Sequence, residues 1–96
     1  MLESHIVTVG EKKLQGVRVS LPNAPVLMLV GSKGFLGCGY FGVDVADKVG
    51  HALAVVSGVS SFDDMLGATV KAFSTAAGDI GITTEMTGAE AAELLA

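Results

Sequence analysis

Leu14-Gln-Gly-Val-Arg-Val-Ser-Leu21, Pro22-Asn-Ala-Pro25, Val26-Leu-Met-Leu-Val30, Gly31-Ser-Lys-Gly34 and Phe35-Leu-Gly-Cys-Gly-Tyr-Phe41 follow one another without a break, and their reading decides the fold. Leu14–Leu21 alternates as a strand does, with Val17, Val19 and Leu21 on one face and Gly16, Arg18 and Ser20 on the other. Proline has no N–H to donate to a ladder, so the segment 22–25 ends that strand. Val26–Val30 is apolar on both faces, which suits a central strand or one whose outer face meets a partner. Gly31–Gly34 is a four-residue turn signal, and Phe35–Phe41 returns as the hairpin mate. Within that mate Gly37 and Gly39 face the same way, and two missing side chains leave a trough where another group can approach.

On the N-terminal side, Ser4–Val9 is β-rich and Gly10-Glu-Lys-Lys13 turns the chain back. The C-terminal side is mostly helical. Asp44-Val-Ala-Asp47 reads as a capping-box variant opening a short helix that Gly50 closes, and Ala52–Ser57 reads as a fifth strand. Ser61-Phe-Asp-Asp64 caps a second helix, whose stripe of Leu66, Val70, Phe73 and Ala77 runs toward a C-cap at Gly81 with Ile82 as its contact. Thr87-Gly-Ala-Glu90 is a further capping box and starts a last helix through Leu94 and Leu95. The predicted fold is α+β: an N-terminal antiparallel β-meander followed by a fifth strand and two to three helices packed on the sheet. At 96 residues the chain makes one domain, residues 1–96.

Composition narrows the function classes. Half of the residues are hydrophobic, only 17% are charged against about 25% in an ordinary soluble domain, and the mean hydropathy is +0.59. The longest apolar run, Val26–Val30, is far short of the ~20 residues that span a bilayer, so no membrane association is expected. The N-terminus shows no basic flank and apolar core of a signal peptide. Another subunit is then the sink for the excess apolar area. A net charge of −4, with no basic cluster larger than Lys12-Lys13, argues against nucleic acid as a partner. One cysteine forms no internal disulfide and suits a cytoplasmic location. With two separated histidines it offers no ligand spacing, so neither a metal nor a cofactor is expected.

Gly37-Cys-Gly-Tyr-Phe-Gly42 is a literal match to the dinucleotide fingerprint, with Asp63 and Asp64 at about the spacing of its acidic residue. That fingerprint works at a turn from a parallel strand into a helix, whereas the pattern here falls in a hairpin strand, so close packing explains it better. Cys38 is the one potential thiolate nucleophile. It would need a base or cation nearby, and nothing in the sequence brings His5 or His51 to it. His51, after Gly50, is placed to meet helix-terminal carbonyls. Asp63 and Asp64 sit in a first helical turn, where carboxylates are favourable without any catalytic role. Arg18 projects from a strand, where it can pair with a carboxylate or an anion across a subunit interface. The ligand-binding candidates are thus Gly37, Gly39, Tyr40 and Arg18, and the catalytic ones Cys38, His51, Asp63 and Asp64.

Leu21-Pro-Asn-Ala-Pro-Val-Leu27, Lys33-Gly-Phe-Leu-Gly-Cys-Gly-Tyr40, Gly58-Val-Ser-Ser-Phe-Asp-Asp-Met-Leu66 and Met86-Thr-Gly-Ala-Glu-Ala91 occur in that order. Together they resemble the YunC-like family, a domain of unknown function (number 1805) of bacteria and archaea. Glu85 departs from the glycine of that pattern. The resemblance implies a small domain whose β-rich N-terminal region takes part in tetramerisation, and it implies no activity. Two readings of function follow. One is a homo-oligomeric, non-catalytic or accessory module, a tetramer by the resemblance. The other is a small enzyme or ligand-binding protein with its site around Cys38 and its flanking glycines at a subunit junction.

Overall fold

Strand alternation and tight turns build the first half of the domain, whose computed structural model describes residues 2–96. Strand β1 (Leu2–Val9) pairs antiparallel with β2 (Lys12–Val19), opposing Val9 to Lys12 across a two-residue turn. Gly10 supplies the positive φ, 61°, that the first position of such a turn requires. β2 pairs with β3 (Val26–Val30), which sets Val17 against Met28, and β3 pairs with β4 (Gly34–Gly37). Helix α1 (Val43–Val49) then carries the chain to β5 (Ala52–Val55), parallel to β4. Helix α2 (Phe62–Gly67), a short strand β6 (Ala72–Phe73) antiparallel to β5, and helices α3 (Thr75–Asp79) and α4 (Gly88–Leu95) complete the chain. The six-stranded mixed sheet runs β1-β2-β3-β4-β5-β6. The fold is α+β, as the sequence implies, with one strand and one helix more than expected.

Leu14, Leu27, Leu29 and Leu36 point from one sheet face into the main core, where Met65 of α2, Ala77 of α3 and Leu95 of α4 meet them. On the opposite face Ala46 of α1 covers Leu53 and Val55, with Phe35 and Phe41 beside them. Three helices therefore cover one face, and α1 alone covers part of the other.

Four local expectations are corrected. The helix drawn from Ser61 to Gly81 is two helices with β6 between them: α2 stops at Gly67, Ser74 caps a new helix, and Phe73 pairs with Ala54 of β5. Asp44 does not cap α1; Gly42 stands at the N-cap without a side-chain bond, and the Asp47 carboxylate accepts from Thr75 N–H at 2.7 Å. The hairpin mate ends at Gly37, because Phe41 N–H donates to the Cys38 carbonyl in a turn. His51 closes α1 with its backbone N–H, donated to Ala46, and not with its imidazole.

Other signals act as read. Gly50 and Gly81 both adopt positive φ after a helix. Thr87 and Glu90 form the reciprocal capping box of α4. The Gly31–Gly34 turn has a task beyond reversing the chain: Lys33 N–H donates to the Leu95 carbonyl and Ser32 Oγ to that of Ala96, so the turn holds the end of α4.

Candidate functional site

Cys38 lies just past β4 and is only 3% exposed. Its N–H donates to the Leu27 carbonyl at 3.1 Å, and its Sγ accepts from Leu27 N–H at 3.4 Å. Its own carbonyl is taken by the turn to Phe41, so the sulfur stands in for a ladder acceptor. Beside it Ala24, Pro25, Gly39, Tyr40, Gly58 and Val59 line an open, mainly apolar cavity of about 330 Å³.

The expected trough is half filled. A Cβ on Gly37 would come within 2.6 Å of the Phe41 ring, which lies over that glycine, whereas a Cβ on Gly39 would meet only Ser57 Cβ, at an ordinary contact distance of 3.6 Å. Gly37 ends the hairpin mate as expected, and the rest of the glycine pattern leads through a turn into α1 and on to β5, which joins β4 in parallel. The pattern's acidic partners are nevertheless elsewhere. Asp64 belongs to the start of α2, where bonds from Ser60, the backbone N–H first and then the hydroxyl, hold its carboxyl below the usual carboxylate range. A lowered folded pKa means that this contribution to stability is complete above the ordinary value of 3.8 and is lost as pH falls through the folded one. Asp63 sits exposed in the same first turn.

The other candidates do not converge on the thiol. His51 lies beyond α1 with its ring edge-on to Phe35 at 6.5 Å. His5 is on β1, edge-on to Phe62 and 3.4 Å from the Glu3 carboxylate. Arg18 points to the helix-covered face and donates to the Ser60 carbonyl at 3.0 Å, tying β2 to the start of α2. Among the described residues no hydrogen bond joins Cys38 to a histidine or carboxylate, and no three His, Cys, Asp or Glu side chains gather to hold a metal. Among the described residues no helix is long and apolar enough to cross a membrane.

The least satisfied surface is the sheet face that α1 leaves uncovered. Register places Leu2, Ile6, Val17, Met28 and Val30 together there, on β1, β2 and β3. Leu2 is 66% and Ile6 69% exposed. Next to this open floor stands α1, whose Val45 and Val49 are 66% and 60% exposed. They flank a groove of about 440 Å³ whose base includes Phe35 of β4 and Leu53 of β5, and Phe35 is the register partner of Val30 at the edge of the floor. Reading the sequence located the floor through Val26–Val30 but missed α1. The available signal was Val43, Val45 and Val49 in a seven-residue helix, more valine than one buried stripe of that length needs.

The model of a family described as a domain of unknown function, DUF1805, matches residues 37–95, well over half of the chain. The chain belongs to this family. The crystal structure of TA1206, a protein of unknown function from Thermoplasma acidophilum, is similar at 34% sequence identity with a TM-score of 0.93, covering 100% of this chain and 94% of that one. No curated protein matches the sequence. The segment matched as DUF1805 opens at the Cys38 turn and includes α1, whereas the open floor is built from strands that precede it.

Proposed function

We infer that this DUF1805 domain is a self-associating, non-catalytic or accessory module of the cytoplasm, whose copies join through the N-terminal sheet into a closed homo-oligomer, a tetramer on the family resemblance. The observation that carries this reading is the bare apolar floor of β1–β3: a monomer leaves Leu2 and Ile6 in water, although the rest of the sheet is covered on both faces. The floor also holds no acidic residue: Gln15 there donates to Ser4 Oγ at 2.6 Å, and its one charge, Lys13, lies at a corner opposite Thr8. A two-fold axis sets residues near it against their own copies, so an uncharged centre suits self-association. Met28→Lys places a charge at that centre. The expected result is loss of the floor contact between folded copies, its association constant weakened by more than a hundredfold, since an unpaired charge buried in an interface costs about 3–5 kcal/mol. Light scattering over a dilution series measures it, and a wild-type protein that stays monomeric at high concentration overturns the reading.

The cavity beside Cys38 supports a second reading, a small-molecule site that uses the thiol. Its test is native thiol labelling. On the preferred reading the buried, hydrogen-bonded sulfur reacts orders of magnitude more slowly than in the unfolded chain. Fast stoichiometric labelling of the folded protein, with a thiolate formed well below the ordinary pKa of about 8.5, favours the second reading instead.

A further inference from the structure

We propose that the α1 flank is the second half of the self-association surface: the partner's β1–β3 floor stacks on this one, and Val45 and Val49 receive the partner's β1 edge. The inference rests on the reading above and adds to it an element outside the N-terminal strands. Its basis is a match of heights. A helix with its side chains is about 10–12 Å across, and a second sheet stacks at about 10 Å, so a sheet laid on the open floor occupies the same layer as α1. The edge of that sheet must then meet the helix flank that borders the floor, and this flank carries the exposed valines.

Under a two-fold axis the contact is made twice, once by each copy. The surfaces that meet are complementary in kind. β1 is the outermost strand and brings Leu2 and Ile6, the α1 flank brings Val45 and Val49, and Tyr40 stands beside them, 58% exposed. Covering β1 in this way also removes a bare strand edge of eight residues, a template for uncontrolled pairing.

Area requires the same addition. Three strands about 4.8 Å apart and up to eight residues long present a floor of roughly 350 Å² in projection. A stable interface buries about 800 Å² of accessible surface on each partner, for which the floor alone is marginal. The flank and Tyr40 enlarge the apolar surface that one partner can cover. One occupant, a second copy, accounts for both apolar patches.

The test is the double variant Val45→Glu, Val49→Lys. Both side chains are mostly exposed, and the charges suit the two ends of the helix dipole, so the monomer keeps its fold by circular dichroism. Sedimentation velocity is expected to show a dimer constant weakened at least a hundredfold. In a second measurement Ile6→Cys protein is mixed with Val49→Cys protein under oxidising conditions, and a cross-linked heterodimer is expected; this result also stands if the charged variant misfolds. A dimer that Met28→Lys breaks but the double variant leaves intact, without the cross-link, overturns this inference and leaves self-association through the sheet standing. A monomeric wild type, or an apolar face that takes up lipid vesicles or a different protein in place of its own copy, overturns both.

Discussion

Gly88→Ala is expected to cost at least about 4 kcal/mol, a loss in the exceptional range for one substitution. Gly88 is the first residue of α4, and a Cβ there would overlap the carbonyl oxygen of Met65 in α2. The obstacle is backbone, so no rotamer change relieves it. Gly88 N–H donates to the Ala68 carbonyl at 2.7 Å, Val70 N–H donates to that of Met86, and Thr69 bridges to Thr87. These bonds fix the end of α2 against the start of α4. Room for one methyl group requires lifting α4, which withdraws Ala91, Ala92 and Leu95 from the core. For a domain of this size the melting temperature should fall by roughly 15–30 °C. Gly67→Ala is the control: nothing lies within 4 Å of its Cβ position and its φ is not positive, so it should be neutral or gain about 0.4–1 kcal/mol. Melts at one fixed protein concentration decide the matter, and a Gly88→Ala variant that melts within a few degrees of wild type refutes the account.

Ser74→Ala is the second large effect. Ser74 is fully buried, and its hydroxyl donates to the His51 carbonyl at 2.7 Å, accepts from Leu53 N–H at 2.9 Å and caps α3 at Ala77. One oxygen thus joins the entrance of β5 to the start of α3. Removing it leaves a buried donor and a part-buried acceptor without partners, at about 1–3 kcal/mol each, in addition to the lost cap at about 1 kcal/mol. A total of about 3–7 kcal/mol is expected by urea denaturation. Ser74→Thr keeps the hydroxyl and should lose less than half as much. Equal losses in the two variants would show that packing, not hydrogen bonding, sets the requirement.

Both residues show where the sequence was legible and where it was not. The N-terminal strands were readable because alternation and turns are local, and the α4 start because Thr87 and Glu90 satisfy each other within one turn. The α2–β6–α3 region was not. Leu66, Val70, Phe73 and Ala77 are spaced as on a helix, but Phe73 is drawn into the sheet by Ala54, nineteen residues earlier, a pairing that periodicity does not reveal. The local clues were Gly67 and the second cap residue, Ser74. At Cys38 the reading of a small apolar filler missed a hydrogen-bonding task that only the neighbouring Leu27 makes visible. The open floor was legible as a strand apolar on both sides, whereas its extension over α1 depends on which flank of a short helix faces outward, and that is set by packing.

The clasp between the Gly31–Gly34 turn and the end of α4 bears on how the domain is born. Strands β1 to β4 precede the helices that cover them, and their inner leucines are fully covered only when Gly88–Leu95 has joined α2 and α3 on that face. Because α4 closes on an early hairpin, the nascent chain carries Leu14, Leu29 and Leu36 incompletely covered until its last helix is made. At about 5–20 residues per second that exposure lasts for seconds, long enough for chaperones to bind or for neighbouring chains on one polysome to meet. A stop or frameshift ahead of Gly88 would strand the product in that incompletely covered state, so loss of the last helix should be read by the cell as a degradation signal rather than as a shortened working domain.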